Sequence, residues 1–111
     1  MRGVIDPGEF TKFLLIEEPR ARPSDAHGQP DDEPYRVVDG VWAKLMPLTG
    51  RTFYLAQQAK SEATHEITLR FTTAVKPVNR FRFGSRLFSY ESAVNPDEAN
   101  EFLAVMVKEA R

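Results

Sequence analysis

The chain contains no cysteine, two histidines, and 15 basic against 16 acidic side chains, which gives a formal net charge of −1. The absence of cysteine excludes disulfides, thiol nucleophiles and cysteine zinc sites. The balanced charge provides no overall field that would attract nucleic acid or an anionic membrane. No apolar run approaches the roughly 18 residues of a membrane helix, and residues 1–10 lack the apolar stretch of a signal peptide. We therefore expect no membrane partner and a chain that stays in the cytoplasm where it is made.

Apolar residues make up 41% of the 111 residues and charged residues 28%, values typical of a globular protein. A chain of this length fits one domain and can bury somewhat more than about 60% of its unfolded surface. The sequence therefore predicts a single domain over residues 1–111 with one hydrophobic core. Residues 1–9 form a predicted N-terminal extension.

Short runs of alternating polarity predict mostly β-strands. Gly84 and Ser85 provide a two-residue turn with glycine first, the form that a type II′ hairpin requires. Gly40 suggests a bulge or bend inside the second strand. The last strand is apolar on both faces, so it is either central, which we favour, or covered by another subunit. The predicted strands cover residues 10–17, 35–48, 64–71, 79–83, 86–94 and 102–107.

Two segments depart from the strand pattern. Residues 49–60 change to a helical period, with Thr49 as a candidate N-cap, and predict one helix of two to three turns. Residues 19–34 contain four of the eight prolines and form a long first loop, which in a compact domain is generally functional or poorly ordered. The predicted fold is mainly β: a small antiparallel barrel or sandwich of about six strands with one short inserted helix.

The strand periods also predict which side chains face the core. In the strand at residues 86–94, Phe88, Tyr90 and Val94 are expected on one face. The predicted core consists of Trp42, Ile67, Leu69, Phe71, Phe81, Phe83, Phe88 and Val105.

Few residues are suited to catalysis or metal binding. His27 and His65 lack the spacing of a zinc site, and His65 alternates with Ile67 and Leu69 as a packed strand residue does. The acids at 31–33 lack the spaced ligands of a calcium loop, and the glycines form no phosphate-binding loop. The sequence therefore predicts no enzyme, no cofactor and no metal site.

Residues 80–88 interleave arginine with phenylalanine, as the stacking platforms of single-strand nucleic-acid-binding barrels do. A period of two, however, sends Phe81 and Phe83 to the face opposite Arg80 and Arg82, whereas a platform needs both residue types on one face. We keep single-strand binding as the alternative function.

Charge is distributed unevenly along the chain. Residues 17–39 carry seven acids and three arginines, whereas residues 60–90 carry six bases and two glutamates. Two such patches could meet between subunits that stack head to tail. A solvated surface of mixed charge is the alternative interpretation.

Several motifs occur in the order and spacing of one known family. Residues 50–59 (GRTFYLAQQA) and 61–71 (SEATHEITLRF) match a G-R-x-[FY] start, an A-x-Q helix and a T-H-x-[IV]-x-x-R-[FY] strand. Residues 25–28 (DAHG) match a D-x-x-G turn, and residues 41–43 (VWA) match a V-W-A strand. Residues 84–88 (GSRLF) resemble a G-x-x-[FY] hairpin, with Phe88 one position beyond the motif, and residues 94–98 (VNPDE) match an N-x-[DE] turn. Over residues 10–109 the chain thus resembles the head-tail joining proteins of tailed phages, also called head closure or stopper proteins. Residues 1–9 and the acids at 31–33 depart from the pattern.

The resemblance implies a β-barrel subunit of the virion, located at the head-tail interface and assembled in the host cytoplasm. Copies would form a ring below the portal that closes the DNA exit of the filled head and receives the tail. The implied partners are other copies of the chain, portal or adaptor proteins, tail proteins, and double-stranded DNA in the channel. A tail-side connector or terminator of the same virion is a further alternative.

The family's long first loop reaches into or guards the channel, and here it corresponds to residues 20–34. A lining that neutralised six to ten phosphates would bind DNA with a steep salt dependence, about 10³–10⁵ in affinity between 50 and 200 mM. We therefore predict that the acidic loop gates the channel sterically with weak DNA contact. Its predicted gating residues are Arg20, Arg22, Asp25, His27, Gly28, Asp31, Asp32 and Glu33, and the predicted ring or portal interface is Phe53, Tyr54, Gln57, Arg80 and Arg82.

Overall fold

The computed structural model describes residues 7–20 and 34–110. One helix, α1 (Gly50–Gln58), is inserted between the second and third of six strands, and short 3-10 turns lie at Pro7–Glu9 and Pro96–Glu98. The strands are β1 (Lys12–Pro19), β2 (Tyr35–Pro47), β3 (His65–Arg70), β4 (Arg80–Phe83), β5 (Arg86–Val94) and β6 (Phe102–Glu109).

All six strands pair antiparallel in a closed barrel with the order β1-β2-β3-β6-β5-β4, and β4 returns to β1. Closure leaves no unpaired strand edge among them, which removes the usual site of edge-to-edge aggregation. The predicted mainly β fold with one short helix is confirmed, and the architecture is a barrel rather than a sandwich. Strand β6 pairs with both β3 and β5, so its predicted central position is also confirmed.

Five of the predicted core residues are buried inside the barrel, and Phe83 packs against them while half-buried. Phe71 follows the end of β3 and is also half-buried. The prediction for Trp42 is wrong, because its side chain is 59% exposed. Ala43 is buried and its strand alternates, so Trp42 points outward from the barrel. The five buried residues are Ile67, Leu69, Phe81, Phe88 and Val105.

Strand β2 contains one extra residue close to Gly40. Ile16 pairs with Asp39 and Glu17 pairs with Val37, which leaves Val38 without a register partner. The predicted bulge therefore lies two residues before Gly40. Gly40 has a different role, because a Cβ atom at this position would lie 2.5 Å from Cζ of Phe13.

A second bulge changes which residues of β5 face the core. Tyr90 pairs with Val107 and Ser92 pairs with Met106, so Glu91 is the extra residue. One extra residue reverses the side-chain alternation that follows it. Ala93 consequently packs against the core, and Val94 is 59% exposed. The prediction that Val94 shares the inward face with Phe88 is wrong for this reason.

The predicted turn between β4 and β5 is confirmed. Phe83 pairs with Arg86 across Gly84 and Ser85, and of these two loop residues Gly84 alone has a positive φ, +63°. This is the φ pattern of a type II′ turn. Thr49 occupies the N-cap position of α1 as predicted, although its hydroxyl caps no helical N–H within the described part of the chain.

The strand directions give the barrel two distinct ends. At the helix end, Pro47 of β2 pairs with His65 of β3, and α1 is inserted between them. At the loop end, the other terminus of β3 lies beside Phe102, where the β5–β6 turn enters β6. The long connection between β1 and β2 also leaves from the loop end. Among the described residues, no helix has the length and apolarity needed to cross a membrane.

Candidate assembly surfaces

Helix α1 presents large apolar side chains to solvent. Phe53 is 39% exposed, Tyr54 59% and Leu55 48%, and no residue of the helix is buried. Ala56 is the one half-buried residue within the helix. The barrel therefore does not cover Phe53, Tyr54 or the exposed Gln57, and a neighbouring molecule remains as their predicted contact.

The short helix ends in a tight local motif. Lys60 N–H donates to the carbonyl of Gln57 at 2.9 Å, and Ser61 N–H donates to that of Ala56 at 2.9 Å. These two bonds form a Schellman motif, which requires a left-handed residue at the position of Lys60. Lys60 has φ +63° and provides that conformation without the freedom of glycine. The motif provides hydrogen bonds to carbonyl groups at the end of the helix that would otherwise have no partner. It therefore stabilises a helix that has no buried residue.

A second exposed apolar surface lies on the outside of β1 and β2. The rings of Phe13 and Trp42 pack with centroids 5.2 Å apart and planes tilted by 58°. Phe13 also covers Gly40 on the neighbouring strand, where any larger residue would meet its ring. Sequence analysis missed this pair because it assigned Trp42 to the core. The sequence feature that could have indicated this pair is a glycine two residues before an aromatic residue in a strand.

A cluster of charged residues lies on the outer face of β1 and β4. The carboxylate of Glu17 is almost fully buried, and Arg80 Nε donates to its Oε1 at 2.7 Å while Arg82 Nε donates to its Oε2 at 2.8 Å. Burial raises the pKa of the Glu17 carboxyl, but the hydrogen bonds from Arg82 and Arg80 outweigh it, and the pKa lies below the ordinary value. The Glu17 carboxylate is therefore ionised and binds both arginines.

The same cluster reaches both strands that carry the long first loop. The Arg80 guanidinium lies 3.6 Å from the centroid of the Tyr35 ring, at the start of β2. Asn79 is buried and donates from Nδ2 to the Glu17 carbonyl at 3.1 Å. Arg20 N–H donates to the Pro34 carbonyl at 2.9 Å, which closes the base of the loop.

Most of the predicted gating residues lie outside the described residues. Arg20 is the exception, because it lies at the base of the loop. The predicted interface residues Arg80 and Arg82 contact Glu17 of their own chain. The acidic and basic segments defined from the sequence thus meet on adjacent strands within one barrel. The gating residues outside the described ranges are Arg22, Asp25, His27, Gly28, Asp31, Asp32 and Glu33.

His65 lies at the helix end, packed edge-on against Phe88 with ring centroids 5.2 Å apart. Arg86 Nη2 donates toward Nε2 at 3.4 Å, and Thr64 Oγ1 lies 2.9 Å from Nδ1. Because Nε2 accepts from an arginine, the neutral ring carries its proton on Nδ1 and donates it to Thr64. A carboxylate oxygen of Glu109 lies 3.9 Å from Nε2. Burial lowers the pKa of His65, Glu109 raises it less, and the net pKa is below the ordinary value. The neutral imidazole is therefore a packed residue of the barrel.

The residues proposed for a nucleic-acid platform are occupied within the barrel. Phe81 is fully buried, and Phe83 packs against the core. Arg80 and Arg82 point to the opposite face, where they bind Glu17. This arrangement leaves Phe81 no exposed face on which a base could stack.

The described residues also contain no group of three or more histidine, aspartate or glutamate side chains placed to hold a metal ion. Their distinctive features are an uncovered apolar helix, an outer aromatic pair and an ion cluster at the base of a long loop. A closed barrel with these features belongs to the class of small antiparallel β-barrel modules.

Comparison with known proteins identifies the family. A family model described as phage head completion protein matches residues 5–110. The chain therefore belongs to the phage head completion proteins and is a structural protein of the phage head, which confirms the resemblance seen in its motifs.

Comparison with solved structures finds a chain of similar fold. It is a chain of a native gene transfer agent virion, 20% identical, with a TM-score of 0.54 over 90% of this chain and 94% of that chain. At this identity the likeness concerns the fold alone. No curated protein sequence matches the chain.

Proposed function

We propose that copies of this protein form a ring at the portal vertex, where they close the DNA exit of the filled head and provide the docking surface for the tail. Family membership supports a role in completing the head. The observation that carries the ring is the exposed apolar surface of α1, to which Phe53, Tyr54 and Leu55 contribute. Exposed apolar surface of this kind is typical of a protein-protein contact.

The proposed ring uses heterologous contacts, in which one patch of a subunit meets a different patch of the next. Portal or adaptor proteins would lie on the head side and tail proteins on the other. The protein would act by shape and contact, without making or breaking a covalent bond. DNA would pass through the channel with weak contact.

In this proposal the long first loop guards the channel, and the Glu17 cluster holds its base. Arg80 contacts Glu17 on the strand that enters the loop and Tyr35 on the strand that leaves it. Both strands are therefore fixed to β4 directly below the loop. An acidic loop would repel the phosphate backbone and let the duplex slide.

The test uses filled heads that lack this protein, to which purified protein is added before DNA retention and tail joining are measured. We expect full-length protein to restore both. Deletion of residues 25–33 should leave the fold intact, as measured by circular dichroism and thermal unfolding, while the heads leak DNA. A chain with a Gly/Ser segment of equal length in place of residues 25–33 separates loop length from loop sequence.

Failure of the full-length protein to restore DNA retention would contradict closure of the head. Loss of folding on deletion would show that the loop is structural. A fluorescence titration with single-stranded oligonucleotide at 50 mM salt tests the alternative function, and we expect little or no binding.

A further inference from the structure

Helix α1 and the β5–β6 turn, which lie at opposite ends of the barrel, carry opposite charge. Between residues 50 and 61, the helix end has Arg51 and Lys60 and no acidic residue. Between residues 92 and 104, which include the β5–β6 turn at the loop end, there are three acids and no basic residue. The three acids are Asp97, Glu98 and Glu101.

These surfaces are separated by the length of the barrel. α1 immediately precedes His65, which pairs with Val107, whereas the β5–β6 turn immediately precedes Phe102, which pairs with Arg70. The six residues of β3 between these points span roughly 17–20 Å at about 3.3 Å per residue. A single chain therefore cannot bring its own helix to its own turn, so the two surfaces can meet only between copies.

The acidic end has an apolar residue to match the helix. The bulge at Glu91 turns Val94 outward at the last position of β5, where it is 59% exposed. Tyr54 and Leu55 are the corresponding exposed side chains on α1. An apolar centre with complementary charges around it is the usual composition of a specific interface.

Two hydrogen bonds between Asn95 and Asn100 brace the β5–β6 turn. Asn95 Nδ2 donates to Asn100 Oδ1 at 2.7 Å, and the Asn100 N–H donates to Asn95 Oδ1 at 3.1 Å. Asp97, Glu98 and Asn100 all have left-handed φ angles, between +52° and +59°. A turn with a fixed conformation loses little entropy when it binds.

Acidic residues at the helix end are mostly paired within the chain. Glu62 binds Lys108 at 2.7 Å and Glu109 binds Arg86 at 2.8 Å, so neither cancels the charge of α1. At the loop end the sheet register brings Arg70 beside Phe102, and Lys76 lies in the connection that follows β3. The turn segment itself carries only its three acids.

We propose that α1 of one copy docks on the β5–β6 turn of the next copy, with Arg51 and Lys60 facing Glu98 and Glu101, and Tyr54 and Leu55 facing Val94. This inference rests on the proposed ring and names its subunit contact. Because the two surfaces are unlike and lie at opposite ends, each copy engages two neighbours, which is the condition for a closed ring or an open filament.

Charge reversal provides the test. One variant carries Arg51→Glu and Lys60→Glu, and the other carries Glu98→Lys and Glu101→Lys. We expect each variant alone to assemble at least about tenfold less than the unchanged chain at 50 mM salt, because like charges then face each other. In a mixture, the helix of each variant can dock on the oppositely charged turn of the other variant. We therefore expect the mixture to recover assembly. Thermal unfolding of each variant verifies that the fold is intact.

The absence of cysteine allows a second, independent test. A chain with Gln58→Cys and Ala99→Cys carries one thiol on α1 and one in the turn, and should form a ladder of disulfide-linked species beyond the dimer. In each single variant the thiol faces no second thiol at the proposed contact, so the variant should form no ladder and at most a dimer from random collision. A chain with Gln58→Cys and Ser89→Cys, the latter on the outer side of β5, should give no ladder.

The outcomes separate this inference from the proposed function. If the unchanged chain forms no ring on portal complexes, the proposed function fails. If rings form and neither charge reversal affects them, or if the mixture does not recover assembly, the helix-turn contact is wrong while the ring stands. If charge reversal on α1 abolishes binding to heads but leaves rings intact, the helix faces the portal, and the inference is overturned.

Discussion

Arg80 Nε donates a 2.7 Å hydrogen bond to Glu17 Oε1, and the two residues are 63 positions apart in the sequence. The bond joins β4 to the strand that enters the long first loop. Because Arg82 binds the other carboxylate oxygen at 2.8 Å, one buried acid organises two basic residues. The interaction explains why opposite charges in distant segments of the chain produce a local cluster rather than two charged poles.

Glu17→Gln should lower the free energy of unfolding by about 1–3 kcal/mol, because the substitution removes the charge that both arginines share. Urea denaturation measures the change. Glu18→Gln is the matched control, since Glu18 binds the exposed Arg36 and should cost less than about 0.5 kcal/mol. Equal losses in the two variants would show that the Glu17 cluster contributes no more than a surface ion pair.

Stability should fall in two steps as the pH decreases. The pKa of His65 lies below its ordinary 6.5, so the unfolded chain binds a proton that the folded chain does not, and stability declines as the pH falls below about 6.5. The pKa of Glu17 lies below its ordinary 4.5. The unfolded chain therefore again binds a proton that the folded chain does not, and a further decline in stability begins near pH 4.5. Denaturation of His65→Gln across this range should lack the first step. A first step of the same size in that variant would assign it to other groups.

Gly40→Ala should destabilise the barrel modestly, by about 0.5–1.5 kcal/mol, because the new methyl group would displace the ring of Phe13. The ring is partly exposed and can move, which limits the cost. In a double-mutant cycle, Phe13→Ala should remove most of the penalty. Additive effects would mean that the alanine acts through the strand backbone and not through the ring.

Lys60→Gly should raise the free energy of unfolding by about 0.5–1 kcal/mol, since glycine adopts the left-handed conformation at this helix end without a steric penalty. Lys60→Ala removes the same charge but keeps the penalty, and should show no gain. Thermal unfolding of both variants distinguishes conformational strain from charge.

Tyr54→Asp should leave the free energy of unfolding within about 0.5 kcal/mol of the unchanged chain, because Tyr54 is 59% exposed and lies on a helix without buried residues. Assembly on portal complexes, measured by sedimentation, should fall. Ser89→Asp places the same charge on an exposed position of β5 and is the control. An unchanged yield for Tyr54→Asp would contradict its position at an interface.

Local sequence patterns were sufficient for much of the fold. The turn at Gly84, the helix near residues 50–58 and the inward side chains of β3 follow from turn chemistry and periodicity, which act over a few residues. Trp42 and Val94 were predicted incorrectly for two different reasons. Trp42 lies on the face opposite to Val41, Ala43 and Leu45, which pack in the core. Val94 is displaced by a bulge that the sequence does not mark.

By itself, the sequence determined the residue types, the strand periods and the ordered motifs that indicate the family, because these depend on neighbours along the chain. Tertiary structure decided the closure of the barrel, the pairing of Glu17 with Arg80 and the exposure of α1. It also decided that the basic helix and the acidic turn lie at opposite ends. These features depend on strand register and on which distant segments become adjacent, and a shift of one residue in register changes every side chain that faces the core.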